Sequence, residues 1–166
     1  MGTATSKVDY AGRTVDLLLL KTVLDAPVAN KRVELDVSNV KDEPMIVSGV
    51  EKMVQRFAIA FINAIGSTKF VHDHGTSIVP TVAKGKVYDM STLQAAAAEA
   101  NLMARQQTIN GDFDEETPAD ERLVGSDVED LEFSREKAMV RISIRLTTEA
   151  GNDYIYVIPV PVGVRG

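Results

Sequence analysis

Apolar and polar positions alternate most regularly near the end of the chain. In "AMVRISIRLT" (138–147), Val140, Ile142, Ile144 and Leu146 interleave with Arg141, Ser143, Arg145 and Thr147. A period of two predicts a strand with one buried face. "EAGN" (149–152) is turn chemistry and predicts a hairpin. The strand after it, "DYIYVIPVPV" (153–162), sets Tyr154, Tyr156, Ile158 and Val160 on one face and Ile155 and Val157 on the other. Both faces are therefore apolar. Pro159 and Pro161 cannot donate to a ladder, so the strand is expected at a sheet edge at least there. An apolar edge needs a cover. The cover is either the N-terminal segment or a strand added by a partner chain. "SDVEDLEFS" (126–134) reads as the strand before this pair, and "RTVDLLLLKTVL" (13–24) and "KRVELDV" (31–37) as short strands around a "DAPVAN" turn.

A different period governs the middle. Val50, Met53, Val54, Phe57, Ala58, Phe61 and Ile65 recur at steps of three and four, which predicts a helix with one buried face. Lys52, Gln55, Arg56 and Asn63 fall opposite. Ser48 and Glu51 fit a capping box and Gly66 a C-terminal stop. Residues 70–86, with Gly75, Pro80 and Gly85, read as loop. A second helix is expected from Ser91, with Gln94 as capping partner, to about Gln107, its four successive alanines allowing close packing. The order predicts an α+β fold: two main helices packed on a small antiparallel sheet ending in a C-terminal β-hairpin, with an N-terminal extension of short strands. Residues 1–45 form that extension and 46–166 the main domain.

Composition narrows the function. The chain has 166 residues, 45% hydrophobic and 25% charged, enough for one domain with a substantial core. No apolar run approaches the ~18 residues that signal a membrane span, and the start does not read as a signal peptide. "MGTATS" fits the loose myristoylation pattern through Gly2 and Ser6, without a second anchor. The absence of cysteine removes disulfides, thiolate metal sites and cysteine nucleophiles. The net charge of −6 argues against nonspecific nucleic-acid binding. Residues 112–132 hold ten acids against one base, Arg122, a local −9 that leaves +3 on the remainder. Such a flank is either a solvated loop or a surface steered toward a basic partner.

Candidate chemistry is sparse. "FVHDHGTSI" (70–78) holds both histidines, His72 and His74, around Asp73. On a strand the pair would face one metal, with Asp73 or Asp89 as third ligand. Read by spacing, the stretch is the turn after the first helix. Gly75 is then its telling residue, and the histidines are structural or interfacial. "GDFDEE" (111–116) only faintly resembles a calcium loop, because its glycine comes too early and Glu116 takes a third ligand position. No nucleophile elbow, phosphate loop or dinucleotide fingerprint occurs. No cofactor is expected.

Two motifs sit in this framework. In "FINAIGSTKFVHDHGTSI" (61–78) an amphipathic helix runs to Gly66, and Gly75 follows nine positions on. In "PADERLVGSDVEDLEF" (118–133), Asp120-Glu121-Arg122 precedes the closing strands. With the order of elements over residues 48–162, these resemble the baseplate-wedge and sheath-initiator family of contractile phage tails, which also serves type VI secretion baseplates. The family has G-E-R after the helix, an aromatic before the second glycine, and Glu-Pro-Arg before the strands. Here Ser67 and Thr68 follow Gly66, His74 replaces the aromatic, and Glu121 replaces the proline.

The resemblance implies a structural virion protein of the tail baseplate, assembled in the host cytoplasm, and not an enzyme. It implies six copies around the tail axis and contacts with tail tube proteins. It implies docking on baseplate wedge proteins through Asp120, Glu121 and Arg122. It also implies strands accepted from the tail sheath protein, along Tyr154, Ile155, Tyr156, Val157 and Ile158. The alternative is a small metal-dependent hydrolase built on the His72 and His74 pair, or a carboxylate (lysozyme-like) hydrolase built on paired acids; some members of the family carry a lysozyme label.

Overall fold

The computed structural model describes residues 47–67, 69, 72–87, 89–111, 117–134 and 138–162, and the backbone of 16–17, 21–22, 32–36 and 46. The N-terminal 12 residues, the turn at 25–30 and residues 112–116 of the calcium-like loop lie outside the described residues.

Four short strands come first: β1 (Asp16–Leu17), β2 (Lys21–Thr22), β3 (Arg32–Asp36) and β4 (Ile46–Val47). Three helices follow: α1 (Val50–Ile62), α2 (Ile78–Ala83) and α3 (Met90–Gly111). The strands β5 (Leu123–Ser134), β6 (Met139–Thr148) and β7 (Asp153–Pro161) close the chain. The fold is α+β, with β5, β6 and β7 as successive antiparallel neighbours. The full sheet has the order β2-β3-β7-β6-β5, and β1 and β4 form a separate antiparallel pair.

The alternation in the closing strands sets the core. Val140, Ile142, Ile144 and Leu146 of β6 are buried, as are Tyr156, Ile158 and Val160 of β7 on the same face. Against that face pack Met53, Val54, Phe57, Ala58 and Phe61 of α1. The Phe57 and Phe61 rings stack with centroids 6.1 Å apart. Each such large side chain contributes about 1.5–3 kcal/mol on burial. From α3, Leu93, Ala97, Ala100 and Ala104 join the cluster at steps of three and four. The small side chains let α3 lie close to both α1 and β5. Of the alanine run only Ala97 is fully buried, so the packing stripe crosses the run rather than following it.

Both helix starts differ from expectation. Gly49, not Ser48, is the N-cap of α1, at φ 70° and without a side-chain cap bond. One extra residue before the helix takes Ser48 out of reach, and the Ser48–Glu51 capping box does not form. At α3 the expected Ser91–Gln94 cap is replaced by Asp89, whose Oδ1 accepts from the Thr92 amide at 2.7 Å and its hydroxyl at 2.8 Å. That helix also runs past Gln107 to Gly111. The expected 70–86 loop contains α2, where Pro80 sits in the first turn and its missing N–H removes no helical bond. α1 ends at Ile62, and Asn63 turns extended. Gly66 therefore does not stop the helix. It occupies a turn closed by Ser67 N to Ala64 O at 3.0 Å, with φ 78°.

Candidate functional site

The segment after α1 is held by backbone bonds on one side. Thr76 N donates to Asn63 O at 2.8 Å, and Ile65 N donates to Thr76 O at 3.0 Å. The buried Thr76 hydroxyl donates to Phe61 O at 2.5 Å, one of the carbonyls freed where the helix ends. On the other side α3 takes hold. Gly75 N donates to Gln107 Oε1 at 2.9 Å, and Gln107 Nε2 donates to Gly75 O at 2.9 Å. Gly75 is at φ 107°, and a Cβ there would lie 2.6 Å from Asn63 O. A side chain has neither the conformation nor the space.

This geometry fixes the status of the histidines. His72 is exposed and His74 half-buried on a turn, not paired on one face of a strand. Asp89 is committed to the start of α3. Thr92 hydrogen bonds, first from its backbone N–H and then from its hydroxyl, hold the Asp89 carboxyl below its usual value. Among the described residues no group of three or more potential ligands is gathered to hold a metal. His74 lines a cavity of about 330 Å³ between α1 and α3, with Arg56, Gln107 and Gly111.

The Asp120-Glu121-Arg122 motif is a turn built onto the last hairpin. Glu121 is buried, and its N–H donates to Pro118 O at 2.9 Å. Arg122 Nη1 meets Glu149 Oε2 at 2.6 Å, and Nη2 donates to Thr117 O at 2.8 Å. The backbones join as well: Glu149 N donates to Arg122 O at 2.9 Å and Ala150 N to Ala119 O at 3.0 Å. The motif and the tip of the β6–β7 hairpin thus form one surface unit. Within the motif, Asp120 and Arg122 are partly exposed.

The two long sides of the antiparallel core are protected differently. β5 has no neighbour on its outer side among the described residues. It carries Asp127, Glu129, Asp130 and Glu132, and its register with β6 slips between Leu123 and Gly125 and between Val128 and Asp130. Charge and bulges are ways to block edge pairing. On the outer sheet face, Arg145 Nε meets Glu129 at 2.6 Å and Arg145 Nη1 meets Asp153 at 3.2 Å. These pairs raise the Arg145 pKa. The Thr147 hydroxyl, then Arg145, lowers that of Asp153.

β7 has no such guard. From Tyr154 to Pro161 it carries no charge. β3 pairs with it in parallel, through Arg32–Ile155, Val33–Tyr156 and Glu34–Val157. Over these three positions the strand is therefore not an open edge. The pairing stops before Pro159, and no described strand pairs with Pro159 or Pro161 on that side. Both prolines lie in the β6 ladder, opposite Arg141 and Met139. A proline is tolerated there when its missing N–H faces away from the ladder. Ile155 and Val157 share their parity, so their N–H groups face outward too.

Inside, Tyr156 lies under this edge with its hydroxyl buried and without a hydrogen-bond partner among the described residues. Burial, then the Glu51 carboxylate and Tyr154, pushes the phenol above its ordinary value, so it stays neutral. Burial likewise raises Glu51. An apolar cavity of about 430 Å³ opens between the start of α3 and the end of the sheet, lined by Met90, Leu93, Phe133 and Val140 among others. No helix among the described residues is long and apolar enough to cross a membrane.

Gln107, Glu149 and β3 were not singled out from the sequence as parts of a site. Gln107 and Glu149 act at a separation of 32 and 27 residues. Only the expectation that an apolar edge needs a cover pointed toward β3. No family model matches the chain, and no curated protein or solved structure matches it.

Proposed function

We propose that this chain is a structural component of a contractile phage-tail baseplate. It docks on wedge proteins around the tail tube in six copies and initiates sheath polymerisation by strand addition. It acts as an assembly protein and not as an enzyme.

One observation carries this reading. The sheet blocks its β5 side with charges and bulges, whereas β7 carries no charge from Tyr154 to Pro161 and, among the described residues, is paired on its other side only at Ile155, Tyr156 and Val157. An uncharged side with outward N–H groups is a surface suited to main-chain recognition. The resemblance in element order and the two motif positions supplies the partner class. The Asp120-Glu121-Arg122 turn with the hairpin tip serves as the wedge contact. Arg122 and Asp120 meet the partner, while Glu121 is buried behind them.

Removing the hairpin would not test this, because Tyr156, Ile158 and Val160 belong to the core. Ile155→Pro deletes one outward N–H and leaves the inner face intact. The variant should fold, dock on baseplates and fail to start sheath. Normal sheath growth on baseplates carrying it would refute strand addition at this edge.

A further inference from the structure

The in-chain strand and the proposed partner strand claim the same main-chain groups. β3 pairs with Ile155, Tyr156 and Val157, and these are the centre of the edge assigned above to the sheath protein. We propose that β3 is an exchangeable cap: it covers the β7 edge in the free protein and leaves when an extended strand from the assembly partner takes its place. This rests on the reading under Proposed function.

Four features favour exchange over permanent pairing. The β3–β7 contact is parallel and three residue pairs long, against nine pairs between β6 and β7. Parallel pairing is slightly the weaker per residue. Pro159 ends any extension of the cap toward the C-terminus of β7, so it cannot lengthen in that direction. The far side of β3 is closed only by β2, a strand of two residues. A very short outermost strand discourages further growth of the sheet. Finally, nine residues separate Asp36 from Ile46. Extended, they span up to about 30 Å, so β3 can leave β7 without disturbing α1.

The cap also guards the free protein against self-association. A free monomer with an uncharged apolar edge would associate through it. Charges on that edge would prevent this, and would also reject the partner strand. A removable strand protects the edge and keeps it usable.

The full chain tests this directly. It has no cysteine, so Arg32→Cys with Ile155→Cys introduces a single pair at one registered position of the contact. Oxidised and reduced forms of that variant are compared on baseplates supplied with purified sheath subunits. The oxidised form should start sheath at least tenfold less often, and reductant should restore it. Equal initiation by both forms overturns the cap. A second variant, Val33→Pro, weakens the β3 ladder without touching the main domain. Amide exchange at Ile155 and Val157 should rise at least tenfold, with Ile142 and Ile144 unchanged. Unchanged exchange at Ile155 and Val157 overturns the cap even if the disulfide does not close. If wild-type protein starts no sheath while Val33→Pro exposes the edge as expected, the cap stands and the assignment of its partner falls.

Discussion

The side chain of Gln107 makes both backbone hydrogen bonds of Gly75, accepting from its N–H and donating to its carbonyl, each at 2.9 Å. A carboxamide here does what a neighbouring strand would do. It ties the turn after α1 to the last third of α3 and leaves His72 and Asp73 at the surface.

Removing the amide should therefore loosen the turn. Gln107→Ala should cost about 1–2 kcal/mol in urea unfolding, the range for part-buried backbone groups that lose their partner. Gln107→Glu should not rescue it, because a carboxylate accepts from Gly75 N but opposes Gly75 O. Gly75→Ala should cost about 3 kcal/mol or more, since both the positive φ and the contact with Asn63 O must be relieved.

The Arg122–Glu149 pair separates structure from docking. Both side chains are about a third or more exposed, so the pair itself contributes no more than about 1 kcal/mol. Arg122→Glu should lower stability slightly and abolish wedge docking. Adding Glu149→Arg should restore stability, read by thermal melting, and leave docking impaired. Restored docking would mean that Arg122 acts only by holding the hairpin tip.

Asp89 gives a pH dependence with a definite sign. Its carboxyl is held below the ordinary 3.8 by the Thr92 N–H, and further by the Thr92 hydroxyl. A depressed acid stabilises the fold above its unfolded pKa, and that stability is lost as pH falls through the folded value. Asp89→Ala should lower Tm by a few degrees at neutral pH. The gap between wild type and variant should close as pH is taken below 3.8.

Tyr156 has a buried hydroxyl with no partner among the described residues. Tyr156→Phe removes a desolvated polar group and keeps the ring. It should be neutral or stabilising by up to about 1 kcal/mol in urea unfolding. A clear loss of stability would reveal a partner for the hydroxyl.

Long periodic elements were the legible part of the fold. The alternation of β6 and the three-and-four spacing of α1 identified their faces, because one side of each is buried against the same core. Capping was misread at both helices. A Ser-x-x-Glu spacing does not say which residue leaves the helix first, and Gly49 at positive φ takes that position. α2 was missed because six residues with Pro80 in the first turn carry too short a period. The clamp by Gln107 left no local trace, since a side chain reaching a backbone 32 residues away has no spacing rule. The prolines of β7 did mark a side with no partner strand among the described residues, but only where they stand. The cover over Ile155 to Val157 comes from a strand more than a hundred residues earlier.

What lies beside β7 in the assembled particle decides whether a partner strand replaces β3. A reconstruction of the tail baseplate at side-chain resolution tests this most directly. Six copies are expected around the tube, with the Asp120-Glu121-Arg122 turn against the wedge proteins and a sheath strand along Tyr154 to Ile158 in place of β3. A baseplate in which β3 still pairs with Ile155, Tyr156 and Val157 while sheath is attached, or a tail without this chain, would contradict it.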